Sequence, residues 1–115
     1  MVVPYKSFRS KAAAGTVVDY IDDAERSDRR PLRIKRVVIC DEISVVTLGQ
    51  EVGIISGGKR TPIYETGAAG VAGIAVAQEF DVLLSPDDRI YAGFNVATAK
   101  DALWLLVLGE LEGEV

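Results

Sequence analysis

Short segments rich in β-branched and aromatic residues recur every eight to twelve residues along most of this 115-residue chain. Glycine, proline, serine and aspartate separate them, which is the spacing typical of all-β sandwiches and barrels. No segment shows the 3.6-residue apolar period of a long amphipathic helix. The sequence therefore predicts an all-β domain in which about eight strands form a two-sheet antiparallel sandwich of jelly-roll-like topology.

The strands are expected where the apolar pattern is densest, and the turns where glycine and proline interrupt it. Gly57-Gly58 supplies the conformational freedom of a tight hairpin, and Pro86 favours a type I turn after Ser85. The phase of the apolar pattern shifts near Arg36, which predicts a β-bulge. The glycine-rich stretch 67–73 predicts a surface loop. The predicted strands are 16–21, 32–40, 43–48, 52–55, 61–64, 74–84, 89–94 and 102–108, and Pro62 places the fifth of these at a sheet edge.

The last predicted strand, 102–108, is apolar on both faces. Alternate residues Leu103, Leu105 and Val107 can point into the sandwich. The opposite face then presents Ala102, Trp104, Leu106 and Leu108, which need a second partner. A buried helix is the alternative for a short apolar run, but the surrounding turn signals favour a strand. Trp104 has two open interpretations, a core position or a subunit interface.

The basic and acidic residues divide the chain into two unequal parts. Residues 1–36 hold nine Lys and Arg against five acids, a balance of +4, whereas residues 37–115 hold four against twelve, a balance of −8. We predict an N-terminal arm over residues 1–14 and a β-sandwich domain over residues 15–115. Two interpretations remain open, solvated surfaces or a basic arm that contacts an acidic neighbouring subunit. The predicted interface residues are Tyr5, Phe8, Arg9, Arg29, Arg30, Trp104, Leu106 and Leu108.

The residue types that most enzymes and metal sites need are scarce in this chain. It contains no histidine and one cysteine, Cys40, which ends an apolar run and is expected to be a small buried hydrophobe. Histidine-based triads, zinc sites and internal disulfides are therefore excluded. The paired carboxylates lie in predicted turns, where aspartate caps local backbone. The segment Gly53–Lys59 resembles a phosphate-binding loop, but Arg60 and Pro62 follow where a Ser or Thr and a helix are required. We predict no enzyme activity, no cofactor and no metal.

Charge and hydropathy also limit the partners of the chain. No apolar run approaches the roughly 20 residues that span a bilayer, and the first ten residues lack a secretion signal, so we expect a soluble protein made in the cytosol without membrane contact. A basic cluster between Arg26 and Arg36 lacks interleaved aromatic residues. It could contact phosphates but predicts no specific nucleic-acid binding.

The closing part of the chain, Glu79–Ala92 followed by Leu103–Glu112, resembles the small β-sandwich virion proteins of tailed bacteriophages. In these capsid decoration and head-fibre proteins, a strand, an acidic turn, another strand and a C-terminal apolar strand recur. The resemblance covers roughly residues 15–112 and carries over no functional residue. It implies a non-enzymatic virion protein, made in the host cytoplasm, that decorates and stabilises the shell of a major capsid protein as a homo-oligomer, with a trimer favoured.

Two other functions are consistent with an all-β domain. A carbohydrate- or receptor-binding module of a tail or fibre would use Tyr64, Tyr91 or Trp104 as a stacking platform beside carboxylates. A small all-β enzyme subunit, such as a trimeric nucleotide hydrolase, would need a Ser, Asp and Tyr motif set that this sequence does not show.

Overall fold

A computed structural model describes residues 3–15, 17–23, 30–42, 49–66, 75–95 and 97–112. Eight strands and no helix lie in these residues, so no helix there is long and apolar enough to cross a membrane. The strands are β1 (Val3–Ala12), β2 (Val18–Asp22), β3 (Leu32–Asp41), β4 (Gln50–Ser56), β5 (Lys59–Thr66), β6 (Val76–Leu84), β7 (Arg89–Asn95) and β8 (Ala102–Leu111).

The strands form two four-stranded sheets, one in the order β1-β8-β3-β6 and the other in the order β2-β7-β4-β5. Every pairing is antiparallel. The first and last strands pair, β2 pairs with β7, and successive strands alternate between the sheets except at the β4–β5 hairpin. This arrangement is a jelly roll, so the all-β sandwich predicted from the sequence is confirmed.

The core lies between the two sheets and is built from alternate residues of each strand. Leu103, Leu105 and Val107 of β8 are all 0% exposed, as the period of two predicts. Ile90 and Phe94 of β7, which are also buried, belong to the same core cluster. The assignment of 102–108 as a strand with two distinct faces is therefore confirmed.

The N-terminal arm predicted over residues 1–14 was wrong for residues 3–12, which form β1. This strand pairs along its whole length with β8, from Val3 opposite Leu111 to Ala12 opposite Ala102. The turn after it is fixed because the carboxylate of Asp19 accepts hydrogen bonds from the backbone N–H groups of Ala14 and Gly15, at 2.9 and 3.2 Å. The segment was missed because its exposed edge position leaves it polar, without the apolar alternation of an inner strand.

Two local backbone features follow the sequence. Gly57 and Gly58 have positive φ values of 59° and 79° at the tip of the β4–β5 hairpin, where residues with a Cβ are strained. The register of β3 shifts between Ile34 and Arg36 against both of its neighbours, so the predicted bulge is confirmed. At this bulge Gly109 of β8 lies so close to β3 that a Cβ would be 2.2 Å from the backbone oxygen of Arg33.

Two predicted elements, the strand at 43–48 and the loop at 67–73, lie outside the described residues. The described residues hold eight strands, but one of them was not predicted, and the predicted strand at 43–48 stays a prediction. The strand that the sequence pattern did not predict is therefore β1.

Candidate assembly interface

An apolar surface lies on the outer face of the β1-β8-β3-β6 sheet. One row of directly paired residues crosses all four strands of this sheet, and Trp104 lies in the next row along β8. We call the five residues the apolar patch: Phe8, Leu106, Val38 and Ala77 in the row, together with Trp104. Phe8 is 56% exposed, Ala77 is exposed, and the other three are half-buried.

Two aromatic rings form the most prominent part of the apolar patch. The ring centroids of Phe8 and Trp104 lie 5.7 Å apart with their planes tilted by 34°, an ordinary geometry for a favourable aromatic pair. Cys40 pairs with Trp104 across β3 and β8 but is 1% exposed. Burial raises the pKa of this thiol, so Cys40 behaves as the small hydrophobe that the sequence predicts.

Charged residues border the apolar patch toward one end of the sheet. The adjacent row consists of Lys6, Leu108, Arg36 and Glu79 in paired positions. Farther along, the Arg33 guanidinium donates to Asp81 at 3.0 Å and to Glu112, and the Lys35 ammonium lies 3.4 Å from Asp81. The hydrogen bond from Arg33 and the charge of Lys35 lower the pKa of Asp81. An apolar centre with a charged rim is the usual anatomy of a protein interface.

Two of the predicted interface residues, Tyr5 and Arg9, point to the opposite side of β1. The Tyr5 hydroxyl and the Ser7 hydroxyl, at 2.8 Å, donate to the carboxylate of Asp23, and Arg9 Nε lies 3.6 Å from the same carboxylate. Asp23 is 1% exposed and follows β2 directly. These contacts fasten the first sheet to the second, so Tyr5 and Arg9 have a structural role within one chain.

Of the remaining predicted interface residues, some lie in or beside the apolar patch and others do not. Leu106 and Trp104 lie in the apolar patch, and Leu108 lies in the row that borders it. Arg30 is half-buried, lies just before the start of β3 and does not belong to the apolar patch, and Arg29 lies outside the described residues. The structure thus brings Phe8 together with the β8 residues, a contact that the predicted arm did not imply.

Val38 and Ala77 belong to the apolar patch but were not identified from the sequence. Each alternates with core residues of its own strand, as Val38 does between Val37 and Ile39. In the sequence both residues lie in continuous apolar runs, 37–40 and 74–77, so the pattern shows neither that they face outward nor that β3 lies beside β8 and β6 beside β3. Only the strand register shows that Val38 and Ala77 lie in the same row as Leu106.

The outer face of the β2-β7-β4-β5 sheet is different because its aromatic residues cover one another. Tyr91 is 0% exposed, and its hydroxyl donates to Glu51 at 2.6 Å. Its ring meets the Tyr20 ring edge-on, with centroids 5.7 Å apart, and the Arg60 guanidinium lies 3.8 Å over Tyr20. Burial, followed by the hydrogen bond to Glu51, raises the pKa of Tyr91 well above its usual value.

Of the three stacking platforms proposed for a carbohydrate-binding module, Tyr64 and Tyr91 are not open surfaces. Tyr91 is buried, and Tyr64 packs against the core with its ring edge-on to Phe80. Trp104 is half-buried beside Phe8. A shallow cleft of about 310 Å³ does lie between β1 and β2, and its lining includes Arg9, Lys11 and Arg60. Its aromatic residue, Tyr20, is already covered by Arg60.

Comparison with known proteins identifies a shared fold but no family. No protein-family model matches the chain, and no curated protein matches it. Among solved structures, a subunit of the Bacillus endospore appendages, described as a novel family of disulfide-linked pili, shares 15% identity and a TM-score of 0.53. The match covers 96% of this chain and 89% of that subunit. This likeness shows that the two chains share a fold.

Two structures of infectious bursal disease virus also align, with lower similarity. The Gt strain gives a TM-score of 0.34 and 14% identity over 96% of this chain and 31% of the viral chain. The Gx strain gives a TM-score of 0.32 and 14% identity over 100% of this chain and 33% of the viral chain. This chain therefore spans about a third of the viral chains.

Proposed function

We propose that this chain is a non-enzymatic structural subunit that binds a protein shell through the apolar patch. The patch itself carries the proposal: five apolar residues, including an aromatic pair, lie side by side on the outside of a finished sandwich. The core between the sheets does not need them, since its own residues are buried without their help. Contiguous exposed apolar surface with a charged rim is typical of a protein-binding face.

The second sheet supports this choice of face. Tyr91 and Tyr20 could have formed an equally large aromatic surface, but Arg60 and Glu51 cover them within the chain. Because the aromatic residues of one outer face are covered within the chain and those of the other are not, we infer that the uncovered face binds the partner. The absence of histidine from the whole sequence is in line with a non-enzymatic role.

In its finer form, the proposal is a capsid decoration subunit. The resemblance to tailed-phage virion proteins favours the major capsid protein as the partner, a homo-oligomer such as a trimer as the working form, and the virion as the location. The shared fold with a pilus subunit is in line with a structural role. The disulfide linkage of those pili is not expected here, because the chain has one cysteine and that cysteine is buried.

The first experiment asks whether the chain is part of a particle. Mass spectrometry of purified virus particles from the source of the sequence should detect it at a copy number comparable with that of the major capsid protein. Consistent absence from purified particles would refute the decoration role.

The second experiment asks which face binds. Shells stripped of the chain are mixed with purified protein and sedimented. Phe8→Ser should reduce cosedimentation severalfold, because it removes the most exposed ring of the apolar patch. Leu83→Ser is the matched control, since Leu83 is 50% exposed on the same sheet but does not belong to the patch. Equal binding by both variants and the wild type would exclude the patch as the binding face.

A further inference from the structure

The two edges of the β1-β8-β3-β6 sheet are complementary in charge. β1 carries Lys6, Arg9 and Lys11 and no acidic residue, whereas β6 carries Glu79 and Asp81 and no basic residue. The side chains of Lys6, Lys11, Glu79 and Asp81 are exposed. Among the described residues, β1 pairs only with β8 and β6 only with β3, so both are edge strands of the described sheet.

We propose that copies of this chain join side by side, with β1 of one copy pairing to β6 of the next and extending the sheet. The inference rests on the proposed role as an assembly subunit, but it does not depend on which shell the apolar patch binds. The partner at each edge is a second copy of this chain.

The direction of the strands allows this pairing without reversal of the second copy. Neighbouring strands of the sheet are antiparallel, so β1 and β3 run one way and β8 and β6 run the other. A copy placed beside the first in the same orientation therefore brings its β1 antiparallel to β6. The two strands are also matched in length, at 10 and 9 residues.

The register within the sheet predicts which residues meet. Lys6 and Glu79 occupy opposite ends of one paired row, and Phe8 and Ala77 occupy opposite ends of the row beside it. If the rows continue into the next copy, Lys6 lies opposite Glu79 and Phe8 lies opposite Ala77. The first contact is an opposite-charge cross-strand pair, and the second covers the most exposed aromatic ring of the chain beside a small residue.

Charge disfavours the two symmetric alternatives. Pairing β1 with β1 of another copy would place lysines and arginine on both strands, and pairing β6 with β6 would place carboxylates on both. Like charges directly opposite each other destabilise a strand pair. The charges therefore disfavour pairing of β1 with β1 and of β6 with β6, but they allow β1 to pair with β6. The resulting interface is head-to-tail, and the twist of the sheet determines whether it closes into a ring or continues as a filament.

Engineered cysteines test the register directly. The double variant Phe8→Cys with Ala77→Cys should form intermolecular disulfides under mild oxidation, because paired residues on adjacent strands meet the distance that a disulfide needs. Within one chain the two positions are separated by three strand spacings, roughly 14 Å, so no internal disulfide can form. Non-reducing electrophoresis should show a ladder of dimers, trimers and larger species that collapses on reduction.

The single variants Phe8→Cys and Ala77→Cys are the controls, since each can yield at most a dimer through the new cysteine. The oxidised wild type reports any contribution of Cys40, which is buried. A ladder only in the double variant supports the proposal. The proposal would be overturned if the folded double variant gave no cross-linked product, or no product larger than the dimers of the single variants. Shell binding is measured on the wild type, because Phe8→Cys removes a residue of the apolar patch. No ladder from the double variant together with shell binding by the wild type would leave the proposed function standing, so the two failures are distinguishable.

Charge exchange provides an independent test. Sedimentation velocity at low salt should show a weight-average mass above that of the 12.4-kDa monomer that increases with concentration. Lys6→Glu and Glu79→Lys should each weaken association about three- to tenfold, and the double exchange should restore it. Lys59→Glu in the hairpin of the other sheet makes the same charge change and should have no effect. A double exchange that associates no better than the single variants would contradict the predicted register.

Discussion

The outer faces of the two sheets use aromatic residues in opposite ways. On the β2-β7-β4-β5 sheet, Tyr91 is completely buried beneath Tyr20 and Arg60 although it belongs to an outward-facing row. On the β1-β8-β3-β6 sheet, Phe8 is 56% exposed and no described residue covers its partner Trp104 completely. The two faces therefore differ in what their aromatic rings do. One set stabilises the fold, and the other is available to a partner.

Glycine accounts for much of this difference. Gly53 lies opposite Tyr91 in the adjacent strand, and a Cβ there would be 2.5 Å from the Tyr91 ring and 2.4 Å from the backbone oxygen of Thr61. Because Gly53 has no side chain, the Tyr91 ring lies flat in the space above it. In the corresponding rows of the first sheet, the neighbours of Trp104 and Phe8 have side chains, so the rings remain near the surface.

The largest predicted effect compares one aromatic residue from each face. Tyr91→Ala should lower the free energy of unfolding by about 3–5 kcal/mol, because it removes a buried ring and leaves Glu51 without its hydrogen bond. Trp104→Ala should lower it by only about 1 kcal/mol, because a half-buried side chain contributes less on burial. Urea denaturation of the two variants measures both values. Equal losses would remove the distinction between the faces.

A second prediction concerns β1, whose two sides differ in the same manner. Asp23→Ala should cost about 1–3 kcal/mol, because the hydroxyls of Tyr5 and Ser7 lose their shared acceptor in a buried position. The outward side of the same strand should tolerate Phe8→Ser with a change within about 0.5 kcal/mol. Thermal and urea unfolding of both variants provide the comparison. An Asp23→Ala variant as stable as the wild type would show that β1 is held by its pairing with β8 alone.

The smallest predicted effect is on the pH dependence of stability. Because the pKa of Tyr91 is raised in the folded state, the unfolded chain loses this proton first as the pH rises above about 10. The folded state then binds more protons than the unfolded state, so stability is retained below pH 10 and decreases above it. Tyr91→Phe should show a shallower decrease of the melting temperature between about pH 9 and 11, which is roughly one unit either side of the usual tyrosine pKa. Parallel curves for the variant and the wild type would contradict the assigned burial.

The sequence predicted the parts of the fold that depend on local pattern. Alternation placed Leu103, Leu105 and Val107 in the core and Trp104 on the outer face, and the glycine pair 57–58 predicted the hairpin. The pattern failed for β1, because an edge strand with one polar side does not alternate clearly. Its contacts depend on Asp23, which lies 16 residues beyond Ser7 in the chain.

The candidate site was predicted in part, for a related reason. The two-sided apolar strand predicted that Trp104, Leu106 and Leu108 share the face opposite Leu103, Leu105 and Val107, and it left both a core position and an interface open for Trp104. The residues that complete the patch come from three other strands. Phe8 was among the predicted interface residues, but Val38 and Ala77 are identified only by register. The burial of Tyr91 on an outer face could not be predicted either, because it depends on Gly53 in the neighbouring strand and Arg60 one strand farther away.

The most direct test of the account is hydroxyl-radical footprinting of the free subunit and of the same subunit bound to particles, with mass spectrometry of the oxidised peptides. Trp104 is the only tryptophan of the chain, so its oxidation is unambiguous. We predict that Phe8 and Trp104 become protected severalfold on binding, whereas the oxidation of Tyr20 on the other sheet does not change. Protection of Tyr20 with unchanged oxidation of Trp104 would show that the chain binds through the opposite face and would contradict the central claim.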